Sequence, residues 1–263
     1  MSRARSALAR ATLAAVGCLL ASSAAPVTFA ATVDKKLPDL QVKRLSGFVI
    51  NTTEEPGIKK LKFPAVTYNT GAGPFEIRAS RSSASASDWL VRQRIQRTDG
   101  SWRTRTTPAA VYWARDGHAH WHVRNLDRYT IRSLSTRRTR LGEKHGFCFF
   151  DNTRYRDWPG NVAGSPMRPR YSTEGSPPAC GAHRPNATRM IQGLSRGWGD
   201  TYDKSLLDQY IDITGLPDGA YRVRLKTDWA NWFQEANERN NATWADIRIK
   251  GKQVTVLRRG GGM

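Results

Sequence analysis

Cysteine is scarce: the 263 residues contain three, at Cys18, Cys148 and Cys180. Long apolar runs are scarcer still. The run Ala11–Leu20 is far too short to span a bilayer, and no second stretch is long enough to do so. Segments with a 3.6-residue apolar period are few, which argues against a helical bundle. Acidic residues are in the minority, 22 against 42 Lys and Arg, for a formal charge of +20. The excess cations form no helical stripe and no recognised nucleic-acid motif, so a basic surface fits better than a sequence reader. Internal repeats and an interdomain linker are also absent, and the length suits one large domain.

What is present begins with a secretory pattern over residues 1–30. Arg3, Arg5 and Arg10 precede and flank the apolar run, and Thr28-Phe29-Ala30 offers a cleavage site. Export is therefore expected, with residues 31–263 as the mature domain. Gly17 before Cys18 allows a lipid anchor there, although Leu19 and Leu20 argue against it. Cleavage removes three arginines and no acid, leaving about +17. It also removes Cys18, so Cys148 and Cys180 are expected to form one disulfide in an oxidising compartment. Closing a loop of about thirty residues would add roughly 3 kcal/mol.

The mature chain reads as short strands punctuated by Gly, Pro, Asn and Asp. Candidates are Leu40–Leu45, Val66–Thr70, Phe75–Ala79, Val111–Trp113, His120–Arg124, Tyr129–Leu134, Phe147–Phe150, Gln209–Asp212, Tyr221–Lys226, Ala245–Ile249 and Val254–Leu257. In Tyr221–Lys226 the apolar Tyr221, Val223 and Leu225 alternate with Arg222, Arg224 and Lys226. Such strands predict an all-β fold, an antiparallel β-sandwich from about Asp34 to Leu257 with little helix. Asp151–Pro185, rich in Pro, Gly, Arg and Ser, reads as a long ordered insertion stapled by the disulfide.

The sharpest local signal is Gly117-His118-Ala119-His120-Trp121-His122, which holds three of the five histidines at alternate positions. Chance would give such a triple in about one chain in five hundred. Alternate residues of a strand share a face, but full extension would set the outer Cα atoms about 13 Å apart, near the limit for one metal. A bend or bulge near Gly117 would bring them together. Three imidazoles with no nearby thiol suit copper or zinc.

The triple resembles the copper-binding His-x-His-x-His of the lysyl oxidase family, and three further segments follow in the family's order. Gly142-Glu-Lys-His-Gly-Phe-Cys-Phe-Phe-Asp151 is similar to its Gly-His-Lys-x-x-Phe-Cys-x-x-Asp segment. Gln192-Gly-Leu-Ser-Arg-Gly-Trp-Gly-Asp-Thr-Tyr202 and Gln209-Tyr-Ile-Asp-Ile-Thr214 resemble the two that come next. The likeness runs from Leu37 to Ile249. It implies a copper-dependent oxidase of primary amines, with peptidyl lysine as one substrate class. His118, His120 and His122 would hold copper, and Lys144 and Tyr202 would form the lysine tyrosylquinone cofactor. Asp200, Asp151 or His145 would supply the base that abstracts a proton, and His183 has no assigned role. The likeness also supports the Cys148–Cys180 bridge, although the family's other disulfides are missing and the Lys144–Tyr202 separation is longer than in its animal enzymes.

Leu37-Pro-Asp-Leu40 and Glu235-Ala-Asn-Glu-Arg-Asn-Asn241 look like the ends of the same family's domain, which meet around calcium. The corresponding ligands are Asp39, the carbonyl of Leu40, Glu235, Asn237, Asn240 and Asn241, with Asn237 replacing an acid. The same two ends also resemble small adhesion-like β-sandwich modules, which bind and do no chemistry. Such modules lack the histidine triple and the Lys144 and Tyr202 segments. The basic surface would favour amines embedded in acidic extracellular partners.

Overall fold

The computed structural model describes residues 34–114, 118–155 and 164–263. The secretory segment, Cys18 and Gly117 lie outside the described residues. Among these residues the fold is all-β, with five antiparallel sheets and one short 3-10 turn, Ala179–Gly181. No helix among them is long and apolar enough to cross a membrane.

The longest sheet runs Thr139–Leu141, Asp127–Ser133, Gly219–Thr227, Ala242–Lys250, Gln253–Gly261. Period-two alternation explains its two faces. Tyr221, Val223 and Leu225 are buried, while Arg224 is exposed and Arg222 half-exposed. Arg222 sits opposite Asp246, and Arg222 and Arg258 both donate to that carboxylate on the outer face. A second sheet runs Thr153–Arg154, Trp198–Tyr202, Ala65–Asn69, Leu40–Val42. A third runs Lys35–Lys36, Leu90–Arg97, Phe75–Ser80, Arg189–Leu194, with Trp102–Thr106 added beside Leu90–Arg97.

The inner faces of these sheets meet in one core. Leu40, Val42, Phe75, Ile77 and Val91 join Ile131, Val223, Leu225, Ala245 and Ile247 in a single buried cluster. Each such side chain contributes about 1.5–3 kcal/mol by leaving water. Two small three-stranded sheets complete the fold. One is Gly146–Phe147, Trp121–Arg124, Val111–Trp113, and the other is Tyr210–Asp212, Lys60–Lys62, Val49–Asn51.

Four expected strands are shorter than their sequences suggested: Leu40–Leu45 stops at Val42, Gln209–Asp212 starts at Tyr210, and the other two carry site residues. Phe147–Phe150 continues the ladder only at Gly146–Phe147, because the next residue, Cys148, gives both backbone groups to the Tyr202 hydroxyl. The strand expected from His120 begins at Trp121, since His120 is a bend whose carbonyl accepts from Ala114. Between Asp151 and Pro185 the described residues hold turns, the strand Thr153–Arg154 and the 3-10 turn. The Cys148–Cys180 disulfide ties this segment to the core, with Cα atoms 5.8 Å apart.

Candidate active site and metal centres

Only His122 of the triple lies on a regular strand; His118 and His120 approach along irregular chain. That bend converges the three rings, whose nearest ligand atoms all lie within 4.8 Å of one another. The Nε2 atoms of His120 and His122 are 3.0 Å apart. Two nitrogens at right angles on a metal, each bonded at about 2.0–2.1 Å, are separated by about 2.9 Å. The donor set therefore fits a copper-sized ion. His122 is buried, and burial, aided by the nearby Lys144 charge, pushes its pKa down to about 2. It is held neutral, the form that ligates. Its ring packs edge-on against Tyr112, whose hydroxyl lies 3.4 Å from His122 Nδ1. A Cβ at Gly146 would come within 1.9 Å of that hydroxyl and 2.6 Å of Nδ1, so only glycine fits there.

Lys144 and Tyr202, 58 positions apart, come together in the interior. On the strand Trp198–Tyr202, Asp200 faces Thr67 and Tyr202 faces Ala65 across the ladder, so both side chains project inward. Lys144 enters from the turn between Thr139–Leu141 and Gly146–Phe147. Its Nζ sits 4.8 Å from the Tyr202 ring centroid and 2.7 Å from Asp208 Oδ2. The Tyr202 hydroxyl accepts from the Cys148 amide at 2.8 Å and donates to the Cys148 carbonyl at 3.0 Å. Burial, then the charges of Asp200 and Asp127, raise its pKa well above the usual phenol value.

His118, His120, Asp200, Tyr202, His183 and Leu206 line one cavity of about 310 Å³. Geometry separates the three acid–base candidates named from sequence. Asp200 is buried, accepts from Asn152 Nδ2 through Oδ1, and leaves Oδ2 without a hydrogen-bond partner among the described residues. Burial, then the charge of Asp127, raises its pKa well above the carboxylate range. Asp151 instead clamps a loop, accepting from the amides of Arg170, Tyr171 and Ser195 and from the Ser195 hydroxyl. His145 is exposed and lines a separate cleft of about 190 Å³ that reaches Lys144 from the other side.

Asp127 was not singled out in the sequence, because an isolated Asp at the start of a strand carries no motif. It is buried, lies 3.3 Å from Thr67 Oγ1, and burial pushes its pKa up to about 7. Tyr112 and Asp208 were missed for the same reason. Gly146 lay inside a motif, but its need to be glycine shows only once His122 is placed.

At the domain ends, Asp39 accepts from Asn240 Nδ2 at 2.9 Å, and Glu235 accepts from Asn241 Nδ2 at 2.7 Å. The second Glu235 oxygen accepts from the Leu40 amide. The Oδ1 atoms of Asn240 and Asn241 are buried with no hydrogen-bond partner among the described residues. Two orphaned hard oxygens beside carboxylates fit a calcium ion. Asn237 stands apart, exposed and accepting from the Arg239 amide in a turn. Asp228 and Glu238, unremarked in the sequence, bring carboxylate oxygens within 4.8 Å of Glu235.

The sequence model of the lysyl oxidase family matches residues 178–258, which include Tyr202. Protein-lysine 6-oxidase of Gallus gallus is 29% identical over 140 residues, 50% of this chain and 27% of the relative. Those of Sus scrofa and Homo sapiens are 29% identical over 136 residues, 51% of this chain and 45% and 27% of the relatives. The chain thus spans less than half the length of these relatives. The family match, these relatives and the motif residues agree in one respect: over part of its length the chain is similar to the lysyl oxidase family.

Proposed function

We propose that the chain is an exported copper- and quinone-dependent oxidase of primary amines, peptidyl lysine among them. The observation that carries this reading is the Lys144 amine lying 4.8 Å from the Tyr202 ring centroid, in the buried site beside the histidine triple. Burying that amine carries the cost of desolvating its charge, and its ion pair among the described residues is with Asp208.

Copper and the quinone built from Lys144 and Tyr202 supply, when present, the redox chemistry by which RCH₂NH₂, O₂ and water give RCHO, NH₃ and H₂O₂. His118, His120 and His122 would hold the copper, and Tyr112 orients His122 from behind. Cys148 fixes the Tyr202 oxygen, so the ring is already aimed when it is modified. Asp208 is the acceptor for the proton that Lys144 must release before its nitrogen can bond to carbon. Asp200 takes the α-proton of the bound amine through Oδ2; a carboxylate whose pKa is raised is a stronger acceptor once ionised. Leu206 and Phe150 give the cavity an apolar wall against an alkyl chain. Asp39, the Leu40 carbonyl, Glu235, Asn240 and Asn241 would hold a calcium ion that ties the domain ends together.

Copper-loaded, oxygen-exposed protein should absorb visible light, react with phenylhydrazine, and release hydrogen peroxide when given an alkylamine. A non-catalytic sandwich module would stay colourless and silent on a broad amine panel, and that result would overturn the oxidase reading.

A further inference from the structure

On the sheet that holds Phe75–Ser80 and Leu90–Arg97, one face packs in the core through Ile77, Ala79, Val91 and Ile95. The opposite face is built of arginine. Arg78, Arg92, Arg94, Arg184 and Arg189 line a cleft of about 680 Å³, and no carboxylate lines it among the described residues. Arg78 and Arg92 stand directly opposite each other across the ladder. Like charges in that position destabilise a sheet. Glu76, buried on this same face and opposite Arg94, already pairs with Arg78, Arg94 and Arg170. The side chains of Arg92, Arg184 and Arg189 have no hydrogen bond or ion pair with the described residues. An array of this kind is electrostatically incomplete without an anion.

The cleft is walled on one side by Pro177, Pro178, Gly181 and Arg184. Ala182 and His183, in the same turn, line the cavity shared with His118, His120 and Tyr202. One segment of chain thus contributes to the walls of both the arginine cleft and the amine site. We propose that the arginine cleft binds a carboxylate-rich stretch of a protein substrate next to the lysine being oxidised. This rests on the amine-oxidase reading and adds the recognition element. A target lysine alone is repelled by a surface of this charge; carboxylates a few residues away reverse the sign and orient the chain. Guanidiniums suit the task because each offers a fork of donors to a carboxylate.

The test uses the copper-loaded protein and the triple variant Arg92→Gln/Arg184→Gln/Arg189→Gln. These three have no hydrogen-bond or ion-pair partner among the described residues, and losing the Arg78–Arg92 repulsion should leave the melting temperature unchanged or raised. A fluorescent peptide with several Glu and Asp beside a norleucine in place of lysine reads binding without chemistry. Wild type should bind it at least tenfold more tightly than the triple variant, and a Gln/Asn version should bind both weakly. With the lysine restored, KM should rise at least tenfold in the variant at unchanged kcat, while a simple alkylamine is oxidised equally by both. Equal peptide affinity in wild type and variant would overturn the proposal. So would a sulfated polysaccharide binding the cleft while the acidic peptide does not. If no amine is oxidised by either protein, the oxidase reading fails, and the binding measurement still decides the cleft.

Discussion

Tyr202→Phe removes one oxygen atom from a ring that is otherwise packed against Phe147. The loss has two separable consequences. Structurally, the hydroxyl holds both the amide and the carbonyl of Cys148, at 2.8 and 3.0 Å, in a fully buried position. Leaving those groups unpartnered costs about 1–3 kcal/mol each, so a loss of roughly 2–6 kcal/mol is expected. For a domain of this size each kcal/mol lowers the melting temperature by about 2–4 °C, giving a fall of roughly 4–24 °C. The ligands assigned to copper are imidazoles and not this oxygen, so copper should remain stoichiometric by elemental analysis. Chemically, a quinone cannot form without the phenol, so colour and peroxide release should vanish together. Denaturant unfolding of the copper-free proteins measures the first effect, and the phenylhydrazine and peroxide assays measure the second. A variant as stable as wild type would refute the account of Cys148, and one that still released peroxide would refute the role of Tyr202.

Three further outcomes follow from the same geometry. Gly146→Ala pushes a methyl group into Tyr112 and His122 Nδ1, and should weaken copper binding about 10- to 100-fold in a competition titration while the fold persists. Asp127 has a folded pKa raised from its ordinary 3.8 to about 7, so it binds its proton more tightly in the folded state. Its contribution is full below pH 4 and lost as pH rises to about 7, on the order of 4 kcal/mol in total. Asp127→Asn should flatten that part of the metal-free stability profile, and an unchanged slope would contradict the assignment. Millimolar calcium should raise the melting temperature of wild type and not of Glu235→Gln; equal shifts in both would remove Glu235 from the ligand set.

The sandwich was legible because its central strands alternate cleanly, as in Tyr221–Lys226. The strands that escaped notice break that alternation for identifiable reasons. Leu90–Arg97 places Gln93 in the core, where its side chain both donates to and accepts from the backbone of Gln234. Lys60–Lys62 buries two lysines against Glu54 and Glu55, and Trp102–Thr106 is an exposed edge whose one apolar residue is the half-buried Trp102. The histidine triple and the Lys144 and Tyr202 motifs were visible as local patterns, yet local patterns carry no distances. That Lys144 meets Tyr202 depends on the ladder that turns Asp200 and Tyr202 inward. Asp127, Tyr112, Asp208 and the arginine face arise from pairings distant in sequence, so no window along the chain displays them.

The most direct measurement is peptide mapping by mass spectrometry of secreted protein exposed to copper and oxygen. The account predicts one cross-linked species joining the peptides of Lys144 and Tyr202, richer by one oxygen atom and poorer by four hydrogens than their sum. It should be absent from protein kept free of copper. Recovery of both peptides separate and unmodified from fully copper-loaded, aerated protein would contradict the central claim.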